Sequence, residues 1–167
     1  VLNDRLLIDQ NLKLDADRVE SLIHHEVGTH LLTYCNALAQ PLALLAGGLP
    51  GYDELQEGTA VVAEYLTGGL SSNRLRQLAA RVVAVRRQVD GHSFGDVFHE
   101  LCDRLRFRPA TAFTITMRVF RGGGFTKDAA YLRGLISLLH YLALGRDIDL
   151  LFLGKVSESS LPILREL

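Results

Sequence analysis

Residues 24–30 decide the fold expected for this chain, and they read His24-His25-Glu26-Val27-Gly28-Thr29-His30. The apolar residues around them recur with helical spacing; they are Val19, Leu22, Ile23, Val27 and Leu31. This spacing predicts a long amphipathic helix, ending near Asn36, with one buried face. Glu26 and His30 fall within the apolar stripe of that helix, where a buried polar group needs a partner. A metal ion and a hydrogen-bond network both satisfy this need, and the stripe alone leaves both open.

The spacing of the two histidines bears on the metal alternative. Zinc peptidases commonly use His-Glu-x-x-His, which places both histidines on one helix face. Here His25 and His30 are separated by five positions, which is about 140° around a regular α-helix, too far apart for one ion. A π-bulge would bring them to the same face, and Gly28 between them would ease that distortion. A shared metal therefore predicts a distorted helix, whereas the alternative is two satisfied histidines near a helix surface.

A second stretch, residues 55–60, reads Leu-Gln-Glu-Gly-Thr-Ala. Together, H-E-x-G-T-H followed by Q-E-G-x-A resembles the QEGLA-motif family of bacterial zinc metallopeptidases, which was labelled as modulating flavohemoglobin expression. It also resembles the related microtubule-associated tyrosine carboxypeptidases of animals. The resemblance runs from about Asp4 to about Leu144 and includes a looser match at residues 125–128 with Tyr131. Thr59 replaces the usual leucine of the second motif, outside the ligand set.

The resemblance implies a zinc site and a role for each motif residue. His25, His30 and Glu57 are the implied ligands, and Glu26 is the implied general base. Zinc held by two imidazoles and one carboxylate keeps a position for water, so we expect Glu26 to take a proton from a zinc-activated water. Tyr131 is the candidate donor to the oxyanion; its alternative role is ordinary helix packing.

A carboxypeptidase also needs a cation that binds the terminal carboxylate of its substrate. Four cations surround the glycine run at 122–124; they are Arg118, Arg121, Lys127 and Arg133. Because the animal relatives are carboxypeptidases, we predict that Arg121 and Lys127 bind the C-terminus of a peptide or protein substrate, with solvated surface as the alternative for each. A zinc-containing regulatory or partner-binding module without peptidase activity stays open, although Glu26 favours the enzyme because a purely structural site needs no adjacent base.

The rest of the chain predicts a mainly helical α+β fold with a zincin-like arrangement. Residues 4–14 read as strand, turn and strand, with the turn at 9–11, and form the small N-terminal sheet. Capping patterns at Asp17 and Glu20, at Asp53 and Gln56, and at Ser93 and Asp96 predict three helix starts. Further helices are expected at about 72–88, 93–106, 109–120, 127–144 and 158–166.

Two other carboxylate-bearing parts of the sequence are interpreted as solvated surface. His99-Glu100-Leu101-Cys102-Asp103 has metal-ligand spacing, but His99 and Asp103 point away from the apolar face of their helix, which predicts solvated surface. Glu64 lies one heptad after Glu57 on nearly the same helix face; it is either a neighbour of the ligands or a solvated carboxylate, and we favour the latter.

Composition bounds the remaining classes of function. The 167 residues, of which 48% are hydrophobic, predict a single metallopeptidase-like catalytic domain over 1–167, interpreted as a fragment because the first residue is Val1. A net charge of −1 argues against a nucleic-acid partner. The longest apolar run, 135–144, is too short to span a membrane. Cys35 and Cys102 fall on apolar stripes and read as reduced core residues, which predicts a cytoplasmic protein.

Overall fold

The computed structural model describes residues 5–122 and 127–166, apart from the side chain of Asp17. These residues form helices and loops without a β-strand, so the predicted α+β class, the small N-terminal sheet and the zincin-like arrangement are wrong. The segment 5–14 holds the predicted turn, in which the Asn11 amide donates to Asp9 Oδ1 at 2.8 Å. Most of its apolar residues are exposed; they are Leu7, Ile8, Leu12 and Leu14. A two-stranded hairpin without a face to cover is marginal in water, which explains why two short runs around a turn formed no sheet.

The described α-helices are α1 Ala16–His25, α2 Leu32–Ala39, α3 Leu44–Gly47, α4 Tyr52–Leu66, α5 Ser72–Val89, α6 Phe94–His99, α7 Pro109–Phe120, α8 Ala130–Ala143 and α9 Leu161–Glu166. Two π-helical segments, Glu26–Leu31 and Glu100–Arg104, continue α1 and α6. Short 3₁₀ turns lie at Lys127–Ala129, Asp149–Phe152 and Glu158–Ser160. None of these described helices is both long and apolar enough to cross a membrane.

The motif helix runs through α1, the first π segment and α2. Asp15 is its N-cap residue and makes no side-chain cap, so the predicted start at Asp17 and Glu20 is wrong. The buried face repeats every four residues and is polar or small; its members are Ser21, His25, Thr29, Thr33 and Ala37. Val19, Ile23 and Val27 are instead 43%, 50% and 36% exposed. The apolar stripe is therefore not the buried face, because this helix packs its polar side on α4.

Both cysteines are free thiols. Cys35 is exposed on α2 and Cys102 is half-buried in the second π segment. The interpretation of Cys35 as a core residue is wrong for the same reason as the stripe: it lies on the apolar side of the motif helix that does not pack against α4.

The chain divides into two compact units. The first comprises the residues up to Ser71 together with those from Arg133 onward, and it contains α1 to α4, most of α8, and α9. Its core is the cluster Ala37, Leu45, Leu55, Leu138, Tyr141, Leu151, Val156 and Leu161. In this unit α4 begins after Gly51, whose φ of 80° is left-handed. The start predicted at Asp53 is wrong, because Asp53 already lies inside the first turn.

The second unit, Ser72–Leu132, contains α5 to α7 around its own core. The predicted cap at α6 is confirmed: Ser93 and Asp96 form a reciprocal capping box. The predicted helix at 109–120 is also confirmed, with Pro109 in its first turn. His99 and Asp103 have side chains 71% and 78% exposed, which confirms their interpretation as surface. The single catalytic domain over 1–167 stays a prediction.

Candidate metal centre

The helix distortion predicted between His25 and His30 is confirmed, because Glu26–Leu31 is π-helical. A π turn places residues i and i+5 over one another, and the two imidazole rings lie 5.0 Å apart between centroids. Thr29 stabilises the wide turn, since its Oγ1 donates to the carbonyl of His24 at 3.1 Å. A Cβ at Gly28 would lie 3.3 Å from His24 Nδ1, so glycine leaves room for that ring. The local sequence thus supports the turn that a shared ion requires.

The π turn and α4 bring the three predicted ligands together. His25, His30 and Glu57 each offer a donor atom, and these atoms all lie within 4.8 Å of one another. Glu57 Oε2 is 3.6 Å from His25 Nε2 and 3.7 Å from His30 Nε2. All three side chains are at most 15% exposed. This group is the metal-binding candidate among the described residues.

The donor set fits a zinc ion in chemistry, and two of its three donor separations are close to those of a zinc site. Zinc accepts imidazole nitrogen and carboxylate oxygen at about 2.0–2.2 Å, and at tetrahedral angles such donors lie about 3.4 Å apart. The distances from Glu57 Oε2 to the two imidazole nitrogens, 3.6 and 3.7 Å, are close to that value. Three protein donors would also leave a fourth position for water or substrate.

Glu57 is placed by the glycine that follows it. A Cβ at Gly58 would lie 2.3 Å from the carbonyl carbon of Gly134, and a Cβ at Gly134 would lie 1.8 Å from the carbonyl oxygen of Glu54. No side chain fits at those distances, so α4 and α8 cross glycine against glycine. This crossing gives the Q-E-G motif a packing role: Gly58 fixes the helix that carries Glu57.

The second nitrogen of His25 contacts a carboxylate as well. His25 Nδ1 lies 2.8 Å from Glu64 Oε1, and Glu64 is only 2% exposed. The other oxygen of Glu64 accepts from Arg18 Nη1 at 3.3 Å. The interpretation of Glu64 as a solvated carboxylate is therefore wrong. The heptad spacing from Glu57 was the available signal, because it places both carboxylates on the face of α4 that meets α1.

The carboxylates of Glu57 and Glu64 give the buried site a strong negative charge. Burial of the His25 ring lowers its pKa, but hydrogen bonds to Glu57 and Glu64 and the charges of both outweigh burial and raise the pKa to about 9. The two carboxylates therefore favour the protonated form of His25 in the metal-free chain. The same negative field that holds this proton would favour a bound cation in its place.

The remaining candidate residues are distributed over both units. Glu26 is half-buried in the first turn of the π segment. Tyr131 lies in the second unit, where its ring contacts the Arg81 guanidinium at 5.4 Å. Arg121 follows α7 and Lys127 opens a 3₁₀ turn, and both are exposed. The roles of these four residues stay predictions.

Two members of the predicted cation cluster are paired with carboxylates. Arg118 Nε donates to Asp128 Oδ1 at 3.0 Å, and Asp128 is buried. Arg133 forms an ion pair with Glu54 at 2.8 Å. Residues 123–126, with the rest of the glycine run and the looser match at Phe125 and Thr126, lie outside the described residues. The predicted role of Arg121 and Lys127 in binding a substrate carboxylate stays a prediction.

Comparison with known proteins gives two matches. The family model described as "Microtubule-associated tyrosine carboxypeptidase" matches residues 1–167. A human protein named "Putative tyrosine carboxypeptidase MATCAP2" is 30% identical over 164 residues, which cover 89% of this chain and 30% of the human protein. The chain thus spans less than a third of the length of that relative. No solved structure matches the chain significantly.

Proposed function

Because this chain belongs to the microtubule-associated tyrosine carboxypeptidase family, we propose that it carries the active site of a zinc-dependent carboxypeptidase. The family resemblance inferred from the two motifs is confirmed by the match over the whole chain and by the human relative. One observation carries the zinc part of the proposal: His25, His30 and Glu57 converge at a π turn that also contains Glu26.

The proposed roles follow from the chemistry of each side chain. His25, His30 and Glu57 would hold the ion, and bound zinc would supply a Lewis acid that polarises the scissile carbonyl and acidifies water. Glu26 follows His25 directly in the chain, so we assign it the proton transfers: its carboxylate accepts a proton from the attacking water and delivers it to the departing amine. These transfers produce a new C-terminus and a free amino acid.

A regulatory or partner-binding zinc module is the alternative function. A purely structural zinc site has four protein ligands, whereas the described residues supply three donors at this point. An adjacent carboxylate has no task in a structural site, and Glu26 is such a carboxylate. Both points favour the enzyme. A cytoplasmic location and the absence of nucleic-acid and membrane partners stay predictions.

The substrate end is the part of the proposal that an assay tests directly. If Arg121 or Lys127 binds a terminal carboxylate, peptides with a free C-terminus are cleaved and their C-terminally amidated forms are not. Loss of one charge-assisted hydrogen bond costs about 1.5–3 kcal/mol, or roughly 10- to 150-fold in kcat/KM. The measurement is release of the last residue from matched free and amidated peptides by mass spectrometry.

Variants of both cations make this assay specific. Arg121→Gln and Lys127→Gln should each lower kcat/KM for the free peptide, whereas Arg86→Gln should leave it unchanged, because Arg86 pairs with Asp90 on the surface of α5. Equal cleavage of free and amidated peptides would identify an endopeptidase and return Arg121 and Lys127 to ordinary surface.

A further inference from the structure

We infer that Glu64 is a positioning residue of the metal site: it orients the His25 imidazole so that Nε2 is presented to the point where His30 and Glu57 meet. The inference rests on the proposed function, since it concerns the same three donors. Glu64 is outside the motifs that carry the family resemblance, and its role follows from its contacts alone.

Glu64 fixes the orientation of the His25 ring. Glu64 Oε1 lies 2.8 Å from His25 Nδ1, while Glu57 Oε2 lies 3.6 Å from His25 Nε2 on the opposite edge. An ionised carboxylate is only an acceptor, so Nδ1 carries the hydrogen in this contact. The Nε2 lone pair is then the donor that remains for a metal. Histidines that bind metals almost always donate their other N–H in this way, which fixes both tautomer and ring plane.

Glu64 is itself held in place by Arg18 and by the turn that follows α4. Arg18 Nη1 donates to Glu64 Oε2 at 3.3 Å and to the carbonyl of Gly69 at 3.1 Å. The carbonyl of Glu64 itself accepts from the amides of Gly69 and Leu70 at 2.8 and 3.1 Å. Glu64 is therefore held through both its side-chain carboxylate and its backbone carbonyl, so it supports the His25 ring firmly.

The helices that carry this hydrogen-bond network are tightly packed beside it. A Cβ at Gly69 would lie 1.8 Å from Ser21 Oγ, so only glycine lets the turn after α4 approach α1 so closely. Thr67 Oγ1 adds a hydrogen bond to Ser21 Oγ at 3.1 Å. These contacts fix the separation between the helix that carries Arg18 and His25 and the helix that carries Glu64. A loose carboxylate would leave the ring free to rotate about χ2, and this one is not loose.

The same contacts would also be present if Glu64 only linked the two helices and stabilised the fold. The two roles differ in one measurable quantity. A purely stabilising residue affects the free energy of unfolding, whereas a positioning residue also affects the intrinsic affinity of the folded site for zinc. The test therefore measures zinc affinity on folded protein and identifies the coordinating nitrogen.

Zinc affinity is measured by competition with a chromophoric chelator. Glu64→Ala should weaken zinc binding about 10- to 100-fold, the usual effect of losing such a support. Glu64→Gln keeps an oxygen that accepts from Nδ1–H and should recover most of that loss. Glu54→Ala is the matched control, because it removes a carboxylate from the same helix that pairs with Arg133 at the surface; its zinc affinity should equal that of the wild type.

The coordinating nitrogen is read from the wild-type protein, which removes any dependence on how the variants fold. In zinc-loaded protein labelled with ¹⁵N at histidine, His25 should show a metal-bound Nε2 and a protonated Nδ1 whose hydrogen exchanges slowly. Coordination through Nδ1, or equal zinc affinity of Glu64→Ala and wild type, would overturn the inference while leaving the zinc site intact. Failure of the wild type to bind zinc would overturn the proposed function together with the inference.

Discussion

At the residue scale, the site is built around one imidazole held between two carboxylates. Glu57 and Glu64 lie seven positions apart on α4 and contact opposite nitrogens of His25. Burial lowers the pKa of His25, but hydrogen bonds to both carboxylates, together with their charges, raise it to about 9. The negative charge thus comes from two carboxylates of α4, and α1 supplies the imidazole of His25, which neutralises part of it. A metal ion would substitute for the proton that this charge retains.

Glu26 is the residue whose replacement tests the proposed chemistry. Glu26→Gln keeps the shape of the side chain and removes the basic oxygen, so zinc content should be unchanged while kcat falls by roughly 10²-fold or more, the scale of a lost general base. Zinc analysis and steady-state kinetics on the same preparation check this. A variant with normal turnover would show that another group is the base.

At the element scale, the π segment reconciles His-Glu-x-x-x-His with a shared ion. Its existence could be predicted from the sequence because His25 and His30 have a spacing that a regular helix cannot bring to one point. The identity of the buried face could not be predicted in the same way. Apolar periodicity selects Val19, Ile23 and Val27, but α4 offers Glu57 and Glu64 to α1, and the polar side of the helix packs there instead.

Deleting Val27 tests the geometry of the π segment. The deletion leaves His-Glu-Gly-Thr-His, whose histidines share a face on a regular α-helix, and Val27 is 36% exposed, so little core is lost. We expect zinc affinity within about 100-fold of the wild type, the range over which supporting contacts modulate such sites. Inserting an alanine after Val27 is the control and should abolish binding, because it separates the histidines further. Equal loss in both variants would contradict the account of the turn.

The helix crossing at Gly58 is the other element that the motif specifies. Gly58→Ala places a Cβ 2.3 Å from the backbone of Gly134, so α4 must move. Alanine gains up to about 1 kcal/mol in helix propensity over glycine, but overpacking costs typically about 1–3 kcal/mol, so we expect a lower free energy of unfolding and weaker zinc binding.

Urea unfolding followed by circular dichroism measures the effect of Gly58→Ala. Gly95→Ala is the matched control: it is also a glycine in a helix, but a Cβ there would meet only Ser93 Oγ at 3.7 Å. It should leave the protein as stable as the wild type or slightly more stable. Unchanged stability of Gly58→Ala would mean that the close crossing does not set the position of Glu57.

At the scale of the whole molecule, local signals and global arrangement fared differently. Helices such as α6 and α7 were predictable because Ser93 with Asp96 and Pro109 are strong local signals. The predicted sheet did not form, since the two short runs in 5–14 have no neighbouring strand among the described residues to pair with. The convergence of His25, His30 and Glu57 was predictable from motif resemblance. Glu64 had a signal in its heptad spacing from Glu57, whereas Arg18 was recognised only through its tertiary contact, since no spacing rule links residue 18 to residue 64.

The central claim is that His25, His30 and Glu57 form one zinc site, and metal content tests it most directly. Protein purified with zinc and freed of excess metal should contain about one zinc per chain by elemental analysis, and so should His99→Ala, which removes an exposed histidine from the other H-E motif. His30→Ala should contain almost none, because two donors do not hold zinc at trace concentration. Undiminished zinc in His30→Ala would contradict the claim.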